Sequence, residues 1–156
     1  MSNLKICLLG NMNNNNYVIL RYFRDKNFNI DLLLFDNELE HFSPLSDTYN
    51  NQYFHNIKKL KWGSFEKIIS TDKKTVLKDL EPYNYIIGTG LAPAYCYKAK
   101  RKLDLFIPYG ADLFYFTSFN LTYPNKLIQY WISVFYQRKG IKKINLWHMK
   151  EEIPQY

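Results

Sequence analysis

The chain has 156 residues, 47% of them apolar and 18% aromatic, and a formal charge of +7. That length suits one domain with a real core, and the apolar content excludes an intrinsically disordered chain. No apolar run reaches the roughly 18 residues that cross a bilayer. The polar run 11–16 interrupts any hydrophobic leader, so the expected location is the cytoplasm.

The basic surplus attracts anions: nucleic acid, acidic lipid head groups or phosphorylated small molecules. The two cysteines, Cys7 and Cys96, lie far apart in the chain and read as packed thiols rather than a disulfide framework.

The first element is the apolar run Leu4-Lys5-Ile6-Cys7-Leu8-Leu9-Gly10, followed at once by Asn11-Met12-Asn13-Asn14-Asn15-Asn16. A run this short, closed by glycine, reads as a buried parallel strand. From Tyr17 to Arg24 the apolar residues fall at helical spacing, and asparagines stand where they can cap the helix. Its first amides and the positive end of its dipole make an anion or sugar-hydroxyl site. Compositional bias is the other explanation of the asparagine run.

A second strand, 29–35, ends in Asp36-Asn37-Glu38. The polar segment from Glu38 to about Asn56 is long for a plain connection, and such loops are often functional. Ile57 to Trp62, closed by Gly63, reads as a short third strand, and Thr71 to Leu80 as a helix opened by Asp72 and stopped by Pro82. A fourth strand, 83–87, runs into Gly88-Thr89-Gly90, and Leu91 to Lys102 is its helix. A fifth strand, 103–107, ends in Pro108-Tyr109-Gly110-Ala111-Asp112.

An aromatic loop, 113–123, precedes a long helix that starts at Pro124 and runs to about Lys139, with Gly140 as its stop. Ile144 to Trp147 allows a last strand. Residues 1–148 thus read as one domain and 149–156 as a tail.

Strands alternating with helices predict an α/β domain: a Rossmann-like, three-layer α/β/α arrangement around a mainly parallel sheet. In such a sheet the carboxyl ends of the strands share one edge, and ligands bind there. Gly10, Asn11 and Asn13, then Gly88, Thr89 and Gly90, then Tyr109 and Gly110 are the expected wall of that crevice. Asp112 is placed to orient a hydroxyl or act as a general base, or else to cap the next turn.

The stretch Gly88-Thr89-Gly90-Leu91-Ala92-Pro93 resembles the start of a dinucleotide fingerprint, but Pro93 stands where the last glycine belongs. The chain has no phosphate loop of the ATPase or GTPase kind. No dinucleotide or other cofactor is therefore expected. His41, His55 and His148 lack metal-ligand spacing, and Asp36 with Glu38 suits either a divalent ion or a solvated turn.

Three basic clusters stand out: Lys58, Lys59 and Lys61; Lys98, Lys100, Arg101 and Lys102; Arg138, Lys139, Lys142 and Lys143. Each is ordinarily a solvated face. The long helix is apolar almost all round, which fits burial against core or partner, or contact with an anionic membrane surface. Charge and aromatics alone suggest nucleic acid, but the chain has no reader motif, and no nucleic-acid partner is expected.

Three stretches together, 5–14, 33–42 and 107–113, resemble the N-terminal half of a bacterial glycosyltransferase of the two-Rossmann-domain (GT-B) kind. The kin are glycan-assembly enzymes of capsule or lipopolysaccharide clusters, and the resemblance covers nearly the whole chain. It implies an acceptor-binding domain, with the nucleotide-sugar held by a separate donor-binding half and transfer occurring between the two. It also implies a glycan or polyprenyl-linked acceptor, at or near the inner face of the plasma membrane.

Within the resemblance, Gly10 and Asn11 form the first-turn wall, and Tyr109, Gly110 and Asp112 the wall near the transferred sugar. Many relatives carry a histidine near the Tyr109 position, and this chain has none there. The chain alone is expected to transfer no sugar. The alternative is a non-enzymatic α/β interaction or ligand-binding module that docks through the long helix.

Overall fold

A computed structural model gives the fold and describes residues 4–39, 43–46, 51–118, 127–144 and 146–147. In chain order the strands are β1 (Lys5–Leu9), β2 (Asn29–Leu34), β3 (Ile57–Lys59), β4 (Tyr85–Gly88), β5 (Leu105–Phe106) and β6 (Leu146–Trp147). The helices are α1 (Asn15–Asp25), α2 (Lys67–Ser70), α3 (Lys73–Leu80), α4 (Ala92–Ala99), α5 (Ala111–Phe114) and α6 (Leu127–Lys142).

The strands form one sheet in the order β3-β2-β1-β4-β5-β6, and every neighbouring pair is parallel. The chain works outward from β1 to β3, then returns to the other side of β1 to lay down β4. That reversal opens a crevice between the carboxyl ends of β1 and β4.

The central strands are apolar on both faces because both are covered. Ile6, Leu8, Ile30 and Leu32 pack beneath Tyr17 and Leu20 of α1. Cys7, Leu9 and Leu33 face the other way, into a cluster with Val76 and Leu80 of α3, Tyr95 and Cys96 of α4, and Ile141 of α6. This is the expected Rossmann-like three-layer α/β/α arrangement. Both thiols lie in that second cluster, and burial pushes the Cys96 thiol up to about 12.

Several boundaries differ from the sequence reading. β3 stops at Lys59 because the chain turns Trp62 into the core. There the indole packs 4.8 Å from Tyr95 and 5.9 Å from Phe35, ring centre to ring centre, and its N–H bonds Asp79 at 2.9 Å. The short helix α2 has no period long enough to be read from sequence. α4 ends at Ala99, three residues early: Lys100 takes a left-handed φ of 56°, and the amide of Arg101 bonds the carbonyl of Cys96 at 2.9 Å. This is a helix-closing motif that glycine usually fills. The aromatic loop begins with the helical turn α5, and 119–123 lie outside the described residues.

Gly140 does not stop the long helix, which continues to Lys142. It is there for contact: a β-carbon on Gly140 would lie 2.1 Å from the carbonyl oxygen of Pro93 on α4. α6 is therefore two-faced. Tyr130, Val134, Gln137 and Ile141 are buried, whereas Ile128, Trp131, Ile132 and Phe135 are exposed, Ile128 by 73%. No helix among the described residues is long and apolar enough to cross a membrane. The tail 149–156, His41, His148 and the segment 47–50 lie outside the described residues.

Candidate functional site at the strand ends

The turn after β1 starts at Gly10, whose φ of +83° suits glycine, and whose missing β-carbon would meet Phe35 at 2.8 Å and Thr89 at 2.9 Å. Asn13 and Asn14 follow with left-handed φ values of 53° and 61°. Asparagine adopts that conformation more readily than most residues, which gives the asparagine run a structural reason.

Asn11 is buried and caps α1: its Oδ1 accepts the Tyr17 amide at 3.0 Å, and its Nδ2 donates to Asn14 Oδ1 at 2.9 Å. Asn16 donates from Nδ2 to the Gly10 carbonyl at 2.7 Å, and its Oδ1 is buried with no hydrogen-bond partner among the described residues.

Glu38, at the end of β2, accepts the backbone amide of Asn11 at 2.6 Å. Partial burial pushes its carboxyl above the usual range, against the pull of the Asn11 and Phe35 amides. Its neighbour Asp36 turns elsewhere. Asp36 accepts the Ser64 amide at 2.9 Å and pairs with Lys67. The two carboxylates thus serve different loops, and among the described residues no three His, Cys, Asp or Glu gather as a metal group.

Thr89 and Gly90 follow β4. Thr89 is buried, and its Oγ1 meets no hydrogen-bond partner among the described residues. Asp112 is buried behind them, with Oδ2 accepting the Gly90 amide at 3.1 Å and Oδ1 the Tyr109 amide at 2.8 Å. Burial raises its carboxyl above the usual range while those amides oppose the shift. Asp112 therefore ties the β4 turn to the β5 turn, and both its oxygens are engaged in doing so.

Gln137 of α6 completes the brace. Its Nε2 donates to the carbonyls of Gly90 at 2.9 Å and Asp112 at 3.2 Å, and its Oε1 accepts the Ala94 amide at 3.1 Å. The Tyr109 phenol reaches back to the Asn15 side chain at the start of α1.

The structure thus brings Gly10, Asn11, Asn13, Gly88, Thr89, Gly90, Tyr109, Gly110 and Asp112 to one edge of the sheet. Between the turns lies a cavity of about 280 Å³ whose wall includes Met12, Phe35, Glu38, Thr89, Gly90 and Phe116. Among the described residues no lysine or arginine lines it. Phe116 and Gln137 escaped the sequence reading as crevice groups. The loop 36–47 that carries Glu38 belongs to the expected strand-end edge, but Glu38 itself reads from sequence only as a metal ligand or a solvated turn. Phe116 sits in an unassigned aromatic loop, and Gln137 has no role of its own in the long helix. The one usable signal was Glu38, an acid closing a strand next to the glycine turn.

Two amide donors that a dinucleotide pyrophosphate would use are engaged. Tyr17 N–H is taken by Asn11, and Ala94 N–H by Gln137. Pro93 has no N–H to offer at the start of α4.

The fold and the crevice define a Rossmann-like α/β domain with its polar rim at the β1–β4 switch point. No family model matches the chain. No curated protein matches it significantly. Among solved structures it is similar to a protein described as "a putative epimerase from Burkholderia cenocepacia J2315", with a TM-score of 0.42 and 8% identity. That alignment covers 92% of this chain and 52% of the other, so the chain spans about half of that protein's length.

Proposed function

We propose that this chain is the acceptor-side domain of a glycosyltransferase and that the strand-end cavity receives a sugar. One observation carries the reading: in a chain of charge +7, the switch-point cavity is lined by a carboxylate, an amide, a hydroxyl and apolar or aromatic groups, with no cation among the described residues. An uncharged, hydroxyl-rich ligand suits that lining, and a diphosphate does not. In this reading Glu38 bonds sugar hydroxyls, the buried Thr89 hydroxyl, without a partner among the described residues, is reached as the sugar settles, and the Phe116 ring offers an apolar wall for a sugar face.

In the transfer, the bond from the anomeric carbon to the nucleotide diphosphate breaks and a bond to the acceptor oxygen forms. The acceptor's proton goes to a base. We assign that role to Glu38, which lines the cavity and whose carboxyl burial raises above its ordinary value. Asp112 acts as a positioning residue that holds the wall. The donor diphosphate, with its need for positive groups, belongs to a second domain, and this chain alone transfers no sugar.

The exposed row Ile128, Trp131, Ile132 and Phe135, with Lys139 and Lys142 beside it, supports contact with an anionic membrane on the cytoplasmic side. It would bring a polyprenyl-linked acceptor to the crevice. The same row favours a second reading, a non-enzymatic module that docks a protein partner through α6.

Saturation-transfer NMR with a panel of mono- and oligosaccharides tests the first reading. Transfer to at least one sugar, lost in Glu38→Gln, is expected. No transfer to any sugar, with a folded chain that forms a complex through α6, supports the second.

A further inference from the structure

α4 leaves the crevice rim and runs back along the sheet for eight residues, about 12 Å. α4, the turn into β5 and the end of α6 enclose a groove of about 490 Å³ that runs from Pro93 along the helix to its far end, where its cations gather. Lys98, Lys100, Arg101, Lys102 and Lys143 line it beside the rings of Tyr97 and Tyr136, and among the described residues no aspartate or glutamate does. Lys98 already donates to the carbonyls of Ile68 and Ile69.

The cations differ in what already holds them. Lys102 pairs with Asp104 at 2.8 Å. Arg101 donates from one terminal nitrogen to the carbonyls of Leu80 and Tyr83, and its Nε is buried with no acceptor among the described residues. Lys143 lies 4.9 Å from the centre of the Tyr97 ring. Neither Lys100 nor Lys143 forms an ion pair among the described residues.

Lys100 also stands in a left-handed conformation, φ 56°, that glycine adopts without penalty. The side chain costs about 1 kcal/mol there. A strained residue that leaves a cation at the mouth of a cationic groove is the kind of outlier from which a role is inferred.

We propose that this groove is a second binding site, for a phosphate-bearing ligand. The phosphate sits between the ammonium groups of Lys100 and Lys143, and the rest of the ligand lies against Tyr97 and Tyr136. The site is independent of the sugar crevice at the other end of α4. Its phosphate belongs either to a soluble diphosphate or to an anionic lipid head group, and both present the same chemistry to the lysines.

Two arms separate these sources. Titration calorimetry with pyrophosphate reads the soluble one, and flotation with phosphatidylglycerol against phosphatidylcholine vesicles reads the lipid. Saturable binding in one arm is expected, weakened roughly tenfold or more in the double variant Lys100→Glu/Lys143→Glu. Lys100→Gly is expected to weaken it while raising the melting temperature, which separates lost binding from lost folding. The flotation arm is run in a Trp131→Ala/Phe135→Ala background, so that membrane contact through the exposed row of α6 does not stand in for the groove. Binding in neither arm overturns the proposal, as does binding that the double variant retains. Flotation that does not distinguish the two lipids counts as no binding.

Discussion

Gly140 of α6 sits so close to Pro93 of α4 that the Pro93 carbonyl oxygen would be 2.1 Å from a β-carbon on it. Backbone meets backbone there, so neither side can yield by rotating a side chain. In an exposed helix interior, Gly→Ala stabilises by about 1 kcal/mol. Here the sign reverses. Gly140→Ala is expected to lower stability by about 2–4 kcal/mol, read as a shift in the urea midpoint.

Asp112→Asn replaces a carboxylate that accepts two amides with a side chain that presents a donor to one of them. A loss of about 1–3 kcal/mol at neutral pH is expected. Burial holds the wild-type carboxyl above its ordinary value of 3.8, so the folded chain keeps that proton more tightly than the unfolded chain. Wild-type stability from this group therefore falls as pH rises from 3.8 through the folded value, and stays lower above it. The Asn variant lacks this titration. The gap between the two proteins should be wider in mild acid than at neutral pH, as melting curves across that range will show.

Asn11→Ala removes the acceptor that caps the Tyr17 amide. Loss of such a cap costs about 1 kcal/mol, and up to about 2 where the amide is left buried. The helix it opens carries Tyr17 and Leu20 into the core, so the loss should appear in global unfolding rather than only as fraying of α1.

Thr89→Val swaps a buried hydroxyl without a partner among the described residues for a methyl of similar shape. Stability should hold or rise by up to about 1 kcal/mol. Sugar transfer signals in NMR should weaken at the same time. A fall in stability would instead mean that the hydroxyl serves the fold.

The layered fold was legible because its signals are local. Apolar runs closed by Gly10, Gly63 and Gly88 mark strands, and helical spacing between them marks crossovers. What could not be read depends on distant neighbours. Nothing near Gly140 in the chain announces Pro93, so a helix-interior contact looked like a stop. Lys100 ends a helix in a conformation that composition assigns to glycine.

In the candidate site, the glycine turns were visible, but the groups that tie them together were not. Gln137 is 47 residues from the Gly90 carbonyl it bonds, and Glu38 is 27 residues from the Asn11 amide. Asp112 was legible as a polar residue at a strand end, with both base and cap open to it. Which of its oxygens meets which amide is a matter of the folded geometry alone.

Cys7 and Cys96 are both buried in one cluster, and burial raises both thiols well above their ordinary values. A maleimide or disulfide reagent at neutral pH meets almost no thiolate in the native state. Alkylation therefore has to wait for the sheet and α4 to come apart, and its rate becomes a clock for that opening. The chain carries its own unfolding reporter, with no label to introduce and no tryptophan signal to disentangle.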